Sequence, residues 1–318
     1  MLIPSIRISR MNQVNRQVNR TPGQQGRTLE RMVATSETFL IALSYYPTYF
    51  SSLVKSIEAF RSRLEIAAAV IVLNSRAVSV HSGRSALRSK SSPFHVIEHT
   101  NEGGEFGGYQ AGLDFLRHDA GKIGNVLILN DTLGIHYEFY PEHMNAMRRH
   151  IDDEASSQRI VGRIDQTEQL LSLGGLTGNR WVRSNLIFID AAALKSIDHQ
   201  LYLPEIAGWV RESADPNEFF GDEVGPTTKA RTAKWLFEAG GWYDAAPLSP
   251  ANQKRLSLKA RSILQELYLT MRLEHAGTTI VDLELHEDEM KRILWKRRTS
   301  KLLRKIGLDV RPSRSNVA

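Results

Sequence analysis

From Thr38 onward the chain alternates short, unbroken apolar runs with longer segments whose apolar residues recur every three or four positions. TFLIALSYY opens the pattern as a buried-strand run. After Pro47, residues Tyr49, Phe50, Leu53, Val54, Ile57 and Phe60 fall on one face of a predicted helix. LEIAAAVIVLN (64–74), FHVIEHTN (94–101) and VLIL (126–129) are further strand runs. Between the last two, Gly103, Gly104, Gly107 and Gly108 read as a loop, followed by a helix carrying Tyr109, Leu113 and Leu116 on one side. Strands apolar on both faces and alternating with helices predict an α/β fold with a mainly parallel central sheet flanked by helices.

Downstream, SNLIFIDAAALKSI (184–197) reads as a strand running into a helix. The polar, aromatic-containing stretch 212–247 holds a helix around 228–238, closed by a Gly-Gly turn. Residues 251–318 show helical periodicity and little strand character, through Leu256, Leu258, Ile263, Leu264, Leu267, Leu269 and later Ile293, Leu294, Leu302, Leu303 and Ile306. Residues 1–35, rich in Asn, Gln, Arg and Ser, read as disordered. The expected organisation is a basic N-terminal segment (1–35), a catalytic-sized α/β domain (36–250) and a helical basic C-terminal extension (251–318).

Charge sharpens this division. The chain of 318 residues has a net charge of +6, yet residues 1–35 hold six Arg and one Glu, and residues 291–314 hold ten Lys/Arg and one Asp. The body between them is therefore acidic, which argues against a nucleic-acid partner. The basic C-terminal end, KRILWKRRTSKLLRKI, is instead a candidate for peripheral contact with an anionic membrane. No apolar run approaches the ~20 residues of a membrane span, and the first residues lack the apolar centre of a secretory signal. Without cysteine the chain has no disulfide or thiolate metal site. The expected setting is cytoplasmic, with membrane association through the C-terminal end.

Three strand exits are polar or glycine-rich: Asn74, the 101–108 loop, and Asn130-Asp131. In parallel sheets such exits line the ligand crevice, so a bound nucleotide is the first functional expectation. Asp131 at a strand end suits Mg²⁺ or Mn²⁺, which favour oxygen ligands. The adjacent carboxylates Asp222 and Glu223 are candidates for a general base. Glu98 and His99 read as structural, and Trp235 and Phe237 as helix packing. Trp242 and Tyr243, after two glycines, are candidates to face a sugar ring.

In their order and spacing these pieces resemble the family 2-like glycosyltransferases of the GT-A (Rossmann-like) fold, over roughly residues 38 to 248. The resemblance rests on TFLIALSYYPTYF, on Asn101-Glu102-Gly103-Gly104-Glu105-Phe106-Gly107-Gly108 with Gln110 and Gly112, on VLILNDT, and on FFGDEVGP…RTAKWLFEAGGW. The NDT variant is similar to rhamnan-synthesis and related cell-surface polysaccharide transferases. The resemblance implies a nucleotide-sugar site made by Ser44, Tyr45, Asn74, Asn101, Gly103, Gly107, Gly108, Asn130, Asp131 and Trp242. It also implies a divalent metal on Asp131, a base at Asp222 or Glu223, and an inverting transfer to a glycan or lipid-linked hydroxyl acceptor. The family motif usually carries a second acid where this chain has Asn130, Thr132 and Leu133, which leaves His136 or a downstream residue to complete the metal site. Two other readings stand beside this one. A nucleotidyltransferase would want a Gly-rich, Lys/Arg-bearing loop after the first strand, which SYYPTYF lacks. A non-catalytic binding or scaffold protein would keep the fold without the second acid.

Overall fold

A computed structural model describes residues 37–74, 94–121, 123–136, 139–153, 158–241, 244–283 and 285–305, and the segment 1–35 lies outside them. Residues Thr35–Ala318 group as one compact unit. Its frame is a seven-stranded sheet of β1 (Thr38–Ser44), β2 (Ile66–Leu73), β3 (Phe94–Glu98), β4 (Asn125–Asn130), β5 (Arg159–Leu173), β6 (Leu176–Ile189) and β7 (Thr279–Asp282), in the order β3-β2-β1-β4-β6-β5-β7. β1 pairs in parallel with β2 on one side and β4 on the other. β2 pairs in parallel with β3, and β5 with β7. β6 is antiparallel to both its neighbours, so the sheet is mixed but mainly parallel, as the apolar runs predict.

The chain leaves β1 toward β2 and β3 on one side and returns to β4 on the other. The carboxyl ends of β1 and β4 are therefore a topological switch point, where helices diverge to opposite sides and leave a crevice. On one face lie α1 (Phe50–Arg61) and α3 (Pro141–Asp152). Leu53, Ile57, Phe60, Met144 and Met147 from these helices pack there against Leu40, Ala42, Leu127 and Leu129. On the other face lies α2 (Gly104–Ala120), whose Tyr109, Leu113 and Leu116 meet Ile41, Leu43, Val126 and Ile128. Fully burying each such Leu, Ile or Phe stabilises the fold by roughly 1.5–3 kcal/mol.

α4 (Ala191–Ser196) follows β6, with Asp190 capping it by accepting from the Ala193 N–H at 2.8 Å. α5 (Pro226–Phe237), α6 (Gln253–His275) and α7 (Glu287–Lys305) complete the chain. Here the structure departs from the expected division. β7 is a strand inside the segment read as helical, and α6 contributes Leu269 and Leu273 to the core on the α2 face. Residues 253–282 thus belong to the main body, and an α/β domain ending at residue 250 would lose part of its own core.

The second departure is the long β5–β6 hairpin, which the sequence reading leaves without a strand over 159–173. Its turn is Gly174-Gly175, both at positive φ (56° and 80°), as a two-residue turn matched to the strand twist requires. The far half of the hairpin carries its own core, in which Leu171 and Leu173 pack with Phe219, Phe220, Leu256 and Leu264.

α2 lies close on the sheet because it has glycines where a side chain would collide. A Cβ on Gly112 would sit 2.7 Å from Ile41 Cγ2 and 3.0 Å from Val72 Cγ2. Gly112→Val should therefore destabilise the protein by about 1–3 kcal/mol, read as a lowered urea midpoint at unchanged m-value. An unchanged midpoint would show that this spacing is not needed.

Candidate functional site

The switch point is tied together by one carboxylate. Asp131, one residue beyond β4 and only 1% exposed, accepts through Oδ2 from the backbone N–H groups of Tyr45 (2.6 Å) and Tyr46 (2.5 Å), which follow β1. Its own N–H continues the ladder to the Leu43 carbonyl at 3.0 Å. Asp131 Oδ1 is buried with no partner, and so is the hydroxyl of Ser44, fully enclosed at the end of β1. Because Leu43 pairs with Asn130, Ser44 and Asp131 stand side by side one residue beyond that pair. An enclosed carboxylate oxygen without a donor is costly, which marks it as awaiting a ligand or a proton. Burial first, then the nearby charge of Glu105, raises the Asp131 pKa from 3.8 to about 6, against the two amide hydrogen bonds that lower it.

The exits of the other strands meet this point. Asn74, after β2, donates from Nδ2 to the Gly104 carbonyl (3.0 Å) and to Asn101 Oδ1 (3.4 Å). Its Oδ1 lies 2.9 Å from His99 Nδ1. Asn101, in the left-handed region at φ 67°, donates from Nδ2 to the Tyr45 hydroxyl at 3.3 Å. His99 thus belongs to the loop network rather than to the strand alone, and burial holds its pKa below the ordinary histidine value, against the opposing charge of Glu102. Glu98 is exposed at the end of β3. Tyr45, Tyr46, Tyr49 and His136 form a run of tilted rings along the same mouth, with centroids 5.2, 5.3 and 5.6 Å apart. His136 therefore packs edge-on against Tyr49.

The glycine segment serves a different purpose from the one expected of it. The helix starts at Gly104 rather than at Tyr109, with Gly103 before it in the left-handed conformation against the Tyr202 ring. A Cβ on Gly107 would meet the Glu102 carbonyl oxygen, and one on Gly108 would lie 2.5 Å from Leu43 Cδ1. Both glycines face protein and let the first turns of α2 lie against the strand ends. The expectation that they leave room for a ligand gives way to a packing role.

What the early start of α2 does place in the crevice is Glu105, which sequence reasoning passed over. Its Oε1 accepts from Asn130 Nδ2 and lies 2.7 Å from the Tyr109 hydroxyl, whose single proton is shared between that carboxylate and the Ser184 carbonyl at 2.9 Å. Thr132 fixes the Asn130 amide by donating its N–H (3.1 Å) and hydroxyl (2.6 Å) to Asn130 Oδ1. Across β6, the Ser184 N–H donates to Glu266 Oε2 on α6 at 2.7 Å. The Glu266 carboxylate is closely surrounded, although the residue keeps some exposure. That enclosure, reinforced by Glu105, raises its pKa from 4.5 to about 7 against the Ser184 hydrogen bonds. The signal that could have found Glu105 is its place seven residues after β3, in the first turn of a helix opening on the crevice.

Asp222 and Glu223 lie in an exposed turn just before α5. Two isolated bridges pin the turn, Val210 with Phe220 and Leu173 with Val224, and the Glu223 carbonyl accepts from the Gly174 N–H at 2.8 Å. Among the described residues no hydrogen bond joins either side chain to the Asp131 cluster. Phe237 packs edge-on against Phe219 at 5.2 Å, whereas Trp235 is 38% exposed beneath Lys259 rather than packed in the core. Trp242 and Tyr243 lie outside the described residues.

Among the described residues no group of three or more His, Cys, Asp or Glu side chains could hold a metal ion by itself. Asp131 Oδ1 fits a cation as a single protein ligand, the others then coming from ligand phosphates and water.

No protein-family model and no curated protein matches the chain. Solved structures it is similar to include a 4-diphosphocytidyl-2C-methyl-D-erythritol synthase from Anaerococcus prevotii (8% identity, TM-score 0.35, 72% of this chain and 96% of that one). An inositol-1-phosphate CTP transferase from T. maritima is another (11%, 0.33, 51% and 74%). A third is the mannosyltransferase PcManGT from Pyrobaculum calidifontis in complex with GDP-Man and Mn²⁺ (10%, 0.33, 77% and 74%). The comparisons do not support membership of the rhamnan-synthesis group.

The raised carboxyl pKa values fix the sign of a pH effect. A folded pKa above the unfolded one means that the folded state binds the extra proton. Stability is then fullest below the unfolded pKa and falls as pH rises through the folded value. Unliganded protein should lose stability from about pH 4 to about pH 7, through Asp131 and Glu266. Asp131→Asn keeps an acceptor for the Tyr45 and Tyr46 amides, so it should flatten the lower half of that slope. The Asp131 contribution is at most about 3 kcal/mol. Urea midpoints across pH 4–8 measure it, and identical slopes in both proteins would show that Asp131 titrates normally.

Proposed function

We propose that the protein is a glycosyltransferase that takes a nucleotide-activated sugar in the crevice between β1 and β4 and passes the sugar to a hydroxyl acceptor. The observation that carries this reading is the unpartnered, buried Asp131 Oδ1 at the switch point, where the exits of β1, β2, β3 and β4 converge. The nucleoside lies against Tyr45 and the ring run of Tyr46 and Tyr49, with Ser44, Asn74, Asn101 and Asn130 shaping the mouth. Gly103, Gly107 and Gly108 hold that mouth in place. A divalent cation on Asp131, when bound, would neutralise charge gathering on the departing diphosphate.

The transfer is a single displacement. The acceptor hydroxyl gives its proton to a carboxylate, its oxygen bonds the anomeric carbon, and the carbon–oxygen bond to phosphate breaks so that the nucleoside diphosphate leaves with the electron pair. This route inverts the anomeric centre. Asp222 or Glu223 is assigned as the base, Asp222 by preference because it follows the buried Phe219-Phe220 pair.

Nucleotidyl transfer is the second reading, since it uses the same kind of crevice. It calls for cations or a glycine-rich backbone cradle around a triphosphate, and the segment Tyr45–Phe50 supplies neither. The two reactions differ in their leaving group, which is a nucleoside diphosphate for sugar transfer and pyrophosphate for nucleotidyl transfer.

Thermal melting with a panel of nucleoside diphosphates, with and without Mn²⁺, should single out one base, and Mn²⁺ should add to the stabilisation. Asp131→Asn should keep the fold and lose the Mn²⁺ increment. No response to any nucleotide would favour the scaffold reading instead. Once a donor is found, one of Asp222→Asn and Glu223→Gln should reduce turnover by roughly 10²–10⁴-fold with donor binding retained. Parental rates in both would place the base elsewhere.

A further inference from the structure

The last helix shows a face that the crevice does not explain. α7 is fastened to α3 along one side. Arg149 grips Glu289 with two bonds of 2.8 and 2.9 Å, Lys296 reaches Glu142 at 2.6 Å, and Ile293 between them is 3% exposed. The partners run in opposite order, 142 with 296 and 149 with 289, so the two helices are antiparallel. α3 starts after the β4 exit and runs away from the carboxyl edge of the sheet. α7 therefore runs toward that edge, and its end from residue 297 to 305 continues past the start of α3 on the crevice side.

The opposite side of α7 has no covering element among the described residues. Met290 (45% exposed), Leu294 (42%) and Trp295 (67%) stand on it, and they are among the most exposed large apolar residues of the protein. At 100° per residue, Lys291 and Arg298 fall between Leu294 and Trp295 on the same side. Lys291 is paired with Glu287 at 2.7 Å and Arg292 donates to the Asp288 carbonyl at 3.3 Å, away from this side, while Arg298 is exposed on it. α7 as a whole holds eight Lys/Arg against three acids, all in its first turn: Glu289 is held by Arg149, and Glu287 lies on the exposed side beside Lys291. Among the described residues no helix is long and apolar enough to cross a membrane.

We propose that this face of α7 docks on an anionic lipid surface, with Trp295, Leu294 and Met290 entering the headgroup boundary and the cations meeting lipid phosphates and carboxylates. Charge complementarity requires an anionic partner. The three apolar side chains among the cations select lipid over nucleic acid, because a phosphate backbone offers nothing for Leu and Met to enter whereas the acyl boundary does. The inference stands on α7 alone and does not depend on the function proposed for the crevice.

The test is sedimentation of the full chain with vesicles of phosphatidylcholine alone or with about one third phosphatidylserine, at low and high salt. Preference for the anionic vesicles should reach about tenfold at low salt and collapse at high salt. Lys291→Gln with Arg298→Gln should weaken the preference. Met290→Ala, Leu294→Ala and Trp295→Ala together should release the protein at lower salt, while thermal melting stays parental in both variants. Brominated lipid should quench tryptophan emission in the parental protein and much less in Trp295→Phe. Equal binding to both vesicle types, indifference to both sets of substitutions, binding to RNA in place of vesicles, or a concentration-dependent dimer that buries Trp295 would each overturn the proposal.

Discussion

Two amide hydrogen bonds to one carboxylate organise the centre of this protein. By accepting from the N–H groups of Tyr45 and Tyr46, Asp131 joins the ends of β1 and β4 at the point where the chain reverses its direction of sheet building. It also turns the segment after β1 so that Tyr45 faces Asn101 and the ring run begins. The arrangement leaves a cost unmet, because the second carboxylate oxygen is enclosed without a donor beside an equally enclosed Ser44 hydroxyl. Stable proteins rarely leave such groups unpaired, and those that do tend to keep them for a proton or a ligand.

The electrostatics around that point extend beyond Asp131. Glu105 and Glu266 approach from α2 and α6, and a hydrogen-bond chain through Asn130, Tyr109 and Ser184 links the three elements across β4 and β6. After burial, the charge of Glu105 adds to the raised pKa of both Asp131 and Glu266. An acidic, enclosed lining of this kind disfavours a bare anion and favours a polyphosphate that arrives with its cation. That condition is consistent with a metal–nucleotide ligand.

Much of the frame is legible in the sequence because its strands are apolar on both faces. TFLIALS, IAAAVIVL and NVLILN are β1, β2 and β4, and the polar residues that end them are the ones that meet at the crevice. The hairpin was not legible, since β5 mixes buried residues such as Val161 with a polar stretch, Asp165–Gln169, in which no period stands out. Gly174-Gly175 was its one local signal. β7 is four residues long and is defined by pairing with β5, which no local pattern records. The glycines before and within α2 suggest room for a ligand, yet Gly108 and Gly112 face strand side chains, Gly107 the Glu102 carbonyl and Gly103 the Tyr202 ring. A missing side chain looks the same in sequence whichever neighbour fills its place. Glu105 was hidden for a related reason: its position depends on the helix starting at Gly104, five residues earlier than the apolar spacing of Tyr109, Leu113 and Leu116 suggests.

The central claim is that the switch point between β1 and β4 holds a nucleoside diphosphate through the free oxygen of Asp131. A crystal soaked with Mn²⁺ and the nucleoside diphosphate that most stabilises the protein tests this directly, because manganese is located by its anomalous signal. The account predicts a manganese peak at coordination distance from Asp131 Oδ1, diphosphate oxygens completing its sphere, and the base beside the Tyr45 and Tyr46 rings. A nucleotide bound away from the ends of β1 and β4, or manganese with no contact to Asp131, would contradict it.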